Sequence, residues 1–332
     1  MTRLVDAFEE ILQSVCQAFP QRRTFAHARR LAYGFAAAWG RRTISRALCA
    51  TLSQFRDWSG SYRFFSRSPW RPVDVFQPIL ERCLTITRGR FVVALDDTSL
   101  RKTGRHIPGV AYLHDPMSPR FAKSFLRGQR FVQAAVVVRP EGQGGPARTI
   151  PVRFHPAPPP KKPGRRADEQ ALCAFRLAQR TENLSAKGAF VIQNLRESMD
   201  RAGHAERTLV VAVDGSYCNR NVMRNLPERT EVIARARGDM RLYAPLTDAQ
   251  REAFGRRRKY GDPLPRPSEV LSDESVPWRT VKVYGAGRVH DLVYKSIPRV
   301  LWRNGTRDRV MRLFVIRPLR YRARVGGTLR TC

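Results

Sequence analysis

Apolar residues recur at steps of three and four along the first part of the chain and then give way to short unbroken runs. The pattern predicts a helical region followed by a strand-bearing one. Leu4, Phe8, Ile11, Leu12 and Val15 place a helix over 1–20, ended by Pro20. Thr24 is a candidate N-cap for a second helix that holds Leu31, Phe35, Ala38 and Trp39 and closes at Gly40. Thr43 caps a third, through Ile44, Leu48 and Leu52. Residues 57–70, DWSGSYRFFSRSPW, set Trp, Tyr and two Phe among Ser and Arg, a composition that suits core packing more than a base-stacking platform. A further helix spans 72–85.

The strand-bearing region opens with FVVALDDTSLRKTG, residues 91–104. Five apolar residues, Phe91, Val92, Val93, Ala94 and Leu95, read as a strand buried on both faces, and they run straight into Asp96 and Asp97. Successive strand side chains alternate, so the two carboxylates take opposite faces and one of them is the candidate for chemistry. A second run of this kind, TLVVAVDGSYCN at 208–219, delivers Asp214. An Asp after a strand also serves as an N-cap or turn residue. Two such residues on neighbouring buried strands repel each other, and a divalent cation between them relieves the repulsion. Hard oxygen donors suit Mg²⁺ or Mn²⁺.

Between these strands, short strands are predicted over 108–113 and 130–138, the three forming an antiparallel meander. A Gly- and Pro-rich loop follows over 139–167, carrying PPPKKPGRR. Next come helices from Asp168 to about residue 202, broken near Asn183. After Asp214 the pattern gives a helix over 219–226 and a strand over 231–236. Residues 239–277 are polar and Pro-rich and include GRRRKYG at 255–261; strand-like runs follow at 281–284, 292–295 and 311–316. The core order of three strands, helix, strand, helix, strand is that of a ribonuclease-H-like fold. The expected architecture is therefore an α/β mixed sheet flanked by helices, with an all-α lobe at 1–88, the core at 89–238 and an inserted small β subdomain at 239–332.

Charge changes the picture most. The chain of 332 residues carries 61 Lys and Arg against 28 Asp and Glu, a formal net charge of +33 spread along its length. A folded body this positive calls for a polyanionic partner, and DNA or RNA fits. No apolar stretch is long enough for a membrane span, the N-terminal segment is not a signal peptide, and six singly spaced cysteines make neither a zinc site nor a disulfide framework. The expected location is cytoplasmic.

Taken together, ALDDTSLRKTG, VVAVDGSYCNRNVM, the GRRRKYG loop, WRTVKVYGAG at 278–287 and GSYRFFSRSPW at 60–70 resemble the DDE-type transposases of bacterial insertion sequences. The resemblance implies cut-and-paste DNA transposition by two-metal phosphodiester chemistry, with two Mg²⁺ or Mn²⁺ ions held by Asp97 and Asp214 as catalytic residues. The implied partners are terminal inverted repeats and target DNA, bound by a homodimer on paired ends. Lys102, Arg256, Arg257, Arg258 and Lys259 are the candidate DNA contacts. The family's third acid, a Glu on a late helix, has no counterpart here. Glu231, Glu269, Glu274 and Asp308 occupy the wrong elements, and the sequence ends at Cys332. The expectation is an impaired, C-terminally truncated transposase, or alternatively an inactive DNA-end-binding remnant that inhibits an intact one.

Overall fold

The computed structural model describes residues 2–104, 106–115, 117–119, 121–122, 124–139, 147–252, 257–285 and 288–318. They fall into two units, residues 1–86 with Val152–Phe154, and the remainder.

The first unit is helical: α1 (Thr2–Ser14), α2 (Arg22–Ala37), α3 (Ile44–Ala50), α4 (Ser59–Ser66) and α5 (Pro72–Ile86). Thr43 caps α3 as the pattern predicts, its Oγ1 accepting the Arg46 N–H at 3.3 Å. Thr24 does not cap α2. That helix starts two residues earlier, and Thr24 is buried inside it. Leu31, Ala47, Leu48 and Phe64 form the core, with Phe19, Trp58 and Trp70 packed on it. α2 crosses α3 closely at Gly34, where a Cβ would stand 2.4 Å from the Ala47 carbonyl oxygen. Phe64 stacks on Trp70 at 5.2 Å, so these two aromatics of the 57–70 segment are core. Trp39, assigned to the inside of α2 by periodicity, lies past its end and is 89% exposed. Glu9 ties α1 to α2, accepting from Arg29 Nε at 2.9 Å and from the Tyr33 hydroxyl at 2.8 Å.

The chain after the first helices holds β1 (Phe91–Arg101), β2 (Ala111–His114), β3 (Phe125–Val138), β4 (Arg148–Pro156, whose residues Val152–Phe154 group with the first unit), α6 (Glu169–Thr181), α7 (Leu184–Arg201), β5 (Leu209–Val213), α8 (Arg220–Met223) and β6 (Thr230–Ala234). Asp168 and Asn183 accept the N-terminal amides of α6 and α7, which fixes the break between the two helices. The sheet order is β2-β3-β1-β5-β6, with β4 also pairing β3. β3 runs antiparallel to β1 and β2; β5 runs parallel to both β1 and β6.

The mixed sheet departs from expectation in two ways. The first three strands are not a consecutive meander, because β3 separates β1 from β2. The 139–167 segment is not all loop, because it contains β4. Its run TIPVRF does alternate, Ile150, Val152 and Phe154 against Thr149, Pro151 and Arg153, but the Pro inside it and the Gly- and Pro-rich flanks read as loop.

Phe91, Val93 and Leu95 share one face of β1 and are almost fully buried, as are their neighbours Leu209 and Val211 on β5 and Ala134 and Val136 on β3. Burying each large side chain contributes about 1.5–3 kcal/mol. α7 packs against β3 and buries Val191, Ile192, Leu195 and Met199. Beyond the mixed sheet lies an antiparallel one of order β7 (Arg279–Gly285), β8 (Arg288–Val300), β9 (Met311–Pro318). Its core comprises Met240, Leu242, Val270, Val300, Leu313 and Val315. Lys295 is buried there but satisfied: its ammonium donates to the Leu271 and Asp273 carbonyls and lies 4.6 Å over the Trp278 ring.

Candidate active site

β1 and β5 are adjacent parallel strands whose pairing ends at Leu95 and Val213. The acidic residues follow at once on both. β1 does not exit the sheet there; it continues to Arg101 along β3, with Asp97 opposite Val132. The carboxylates thus stand in the notch left where β5 stops and β1 runs on. Such a position, outside the carboxyl end of a parallel strand, is where α/β sheets bind ligands.

Asp97 extends the buried row of Phe91, Val93 and Leu95 and is half-buried, whereas Asp96 takes the opposite face and is exposed. The Asp96 Oδ1 accepts the Asp97 N–H at 2.8 Å. Removal from water pushes the Asp97 carboxyl above the usual range. Arg130 opposes this, Asp96 adds to it, the Tyr217 hydroxyl opposes it, and Asp214 adds to it more weakly. Arg130 sits on β3 and donates to the Ala157 carbonyl at 3.2 Å.

Asp214 is exposed and precedes a short 3₁₀ turn, Gly215–Tyr217, without capping it through its side chain. The plain N-cap reading of this residue therefore does not hold. Strict alternation would put Asp214 on the face of Asp96, but the ladder ends at Val213 and the chain turns there. Its charge acts on Asp97 even so. Two carboxylates, one partly desolvated, with no cap to serve, are a donor set that fits a hard divalent cation.

Of the acids weighed as a third ligand, Glu231 pairs with Val210 well before the notch and bonds to Arg90 at 3.3 Å. Glu269 closes a turn, accepting the Arg266 N–H at 2.8 Å. Among the described residues no group of three or more His, Cys, Asp or Glu could hold a metal ion. The candidate DNA contacts Arg257, Arg258 and Lys259 are exposed, and Lys102 is half-exposed just past β1. Arg256 lies outside the described residues. No helix among the described residues is long and apolar enough to cross a membrane.

Sequence reasoning passed over Tyr217, Arg130 and Gly188. Tyr217 is fully buried, and its ring fills the space above Gly188 of α7, where a Cβ would come within 2.5 Å of Cε1. The one available signal was an aromatic residue one turn after Asp214 in DGSY. Nothing local showed that its ring would be buried.

A sheet antiparallel on one side and parallel on the other, with acids where its two central strands part and helices alongside, defines an α/β protein of the ribonuclease-H-like class. Residues 14–309 match the family model described as DDE superfamily endonuclease, and the chain belongs to that family. The family implies a DNA substrate, and its members typically use divalent metals. No curated protein matches the chain.

Proposed function

We propose that this protein is a DNA transposase that cleaves phosphodiester bonds at transposon ends, with Asp97 and Asp214 as its metal-binding catalytic pair. The observation that carries the reading is the notch itself: two carboxylates on adjacent parallel strands, coupled electrostatically, in a chain with a formal net charge of +33. Bound divalent ions would activate the attacking oxygen and stabilise the leaving one. The chain's own groups do the rest. Asp97, held on the buried face, and Asp214, exposed at the strand end, fix where cations bind, while the Arg-rich surface holds the DNA backbone. Lys102, Arg257, Arg258 and Lys259 are the contacts this reading favours. A homodimer on paired ends is the expected working form.

The test is a nicking assay on supercoiled plasmid carrying the inverted repeats that flank the gene, in Mn²⁺. The intact chain should convert plasmid to nicked circles, and Asp97→Ala and Asp214→Ala should each abolish this. Nicking that survives both substitutions would sink the proposal. The positive surface also supports a second reading, a DNA-end binder that does not cleave; tight, salt-sensitive binding with no nicking by the intact chain is its outcome.

A further inference from the structure

The Tyr217 hydroxyl is buried without a hydrogen-bond partner of full geometry. Buried donors of this kind are rare in folded proteins because the lost water contacts are not replaced. A phenylalanine would fill the same space without that penalty. The ring is fixed: Gly188 of α7 stands where any Cβ would overlap Cε1 and Cδ1. The turn carrying Tyr217 begins at Asp214, so the ring's position and the strand end are set together. The hydroxyl and the Asp97 carboxyl act on each other's protonation, the carboxylate raising the phenol and the hydroxyl lowering the carboxyl, so the two are neighbours.

We propose that Tyr217 is a positioning residue for the cation site: its buried hydroxyl, anchored by the ring against Gly188, donates to one oxygen of Asp97 and leaves the other for the metal. A hydrogen bond to an ionised carboxylate is about twice as strong as a neutral one, so the contact matters most when Asp97 is charged. Groups that orient metal ligands in this way typically change metal affinity by about 10–100-fold when removed. The inference rests on the reading of Asp97 and Asp214 as metal ligands.

The experiment measures Mn²⁺ binding to the full chain by titration calorimetry, with no DNA present, for the wild type and for Tyr217→Phe, Asp97→Ala and Asp214→Ala. Tyr217→Phe keeps the ring and deletes only the hydroxyl. Binding about 10-fold weaker or more, with an unchanged melting temperature and unchanged DNA affinity in EDTA, supports the assignment. Replacing Tyr217 with a fluorinated tyrosine, which retains the donor, should restore wild-type affinity. Wild-type Mn²⁺ affinity in Tyr217→Phe, alongside loss in Asp97→Ala, overturns the role of Tyr217 and leaves the site reading intact. Equal Mn²⁺ binding by the wild type and both Asp variants overturns the site reading and the inference with it.

Discussion

Gly188→Ala puts two opposed effects on one position. Alanine in a helix interior is favoured over glycine by about 0.8–1 kcal/mol, and α7 should gain that amount. The added methyl, however, would sit 2.5 Å from Cε1 and 2.7 Å from Cδ1 of Tyr217, a residue that is 0% exposed. Overpacking of this kind costs about 1–3 kcal/mol. The clash outweighs the propensity, and a net loss of about 1 kcal/mol is expected in urea unfolding followed by circular dichroism. The same displacement should weaken Mn²⁺ binding, because the hydroxyl moves with the ring. In a Tyr217→Ala background the ring is gone and only the propensity remains, so Gly188→Ala should there stabilise by about 0.5–1 kcal/mol. This reversal of sign is the diagnostic result. If Gly188→Ala stabilises the wild type, or behaves alike in both backgrounds, the contact between α7 and the site does not constrain Tyr217.

Three other outcomes are expected. The folded-state pKa of Asp97 is raised, chiefly by desolvation, so the folded protein holds that proton more tightly than the unfolded chain does. In EDTA its contribution to stability is therefore greatest below the unfolded value of about 3.9 and is lost as pH rises through the folded one. Asp97→Asn should remove this slope and stabilise at neutral pH, and an unchanged pH–stability curve would refute it. Glu9 is shifted the other way, by Gln13 first and then Tyr33 and Arg29, so its contribution is present above about 4.3 and lost as pH falls through the depressed value. Glu9→Gln should destabilise by about 0.2–1 kcal/mol at pH near 7 and by nothing in strong acid, as urea titrations at both pH values would show. DNA affinity measured by fluorescence anisotropy should fall about 10³–10⁵-fold between roughly 50 and 200 mM salt if six to ten phosphates are contacted, and alanine at Arg257, Arg258 and Lys259 should flatten the log–log slope by about 2–3. A flat response in the wild type argues against nucleic acid.

What the sequence determined by itself were the features that repeat over a few residues. The apolar runs of β1 and β5 announce strands that are walled in wherever they lie, and they bring Asp97 and Asp214 with them. Asn183 marks the break between α6 and α7 because an N-cap is a local bond between a side chain and an amide two or three residues on. Tertiary structure decided the rest. β4 becomes a strand because β3 offers it a partner, and β3 enters between β1 and β2, a choice of neighbour that no periodicity encodes. The depth of Asp97 and the presence of Asp214 beside it follow from where β5 stops pairing. Tyr217 is set by the meeting of a turn, a helix glycine and a carboxylate from three separate parts of the chain. Local pattern records which side a residue shows; burial and electrostatic coupling depend on what arrives at that side, and that is fixed only when distant segments pack.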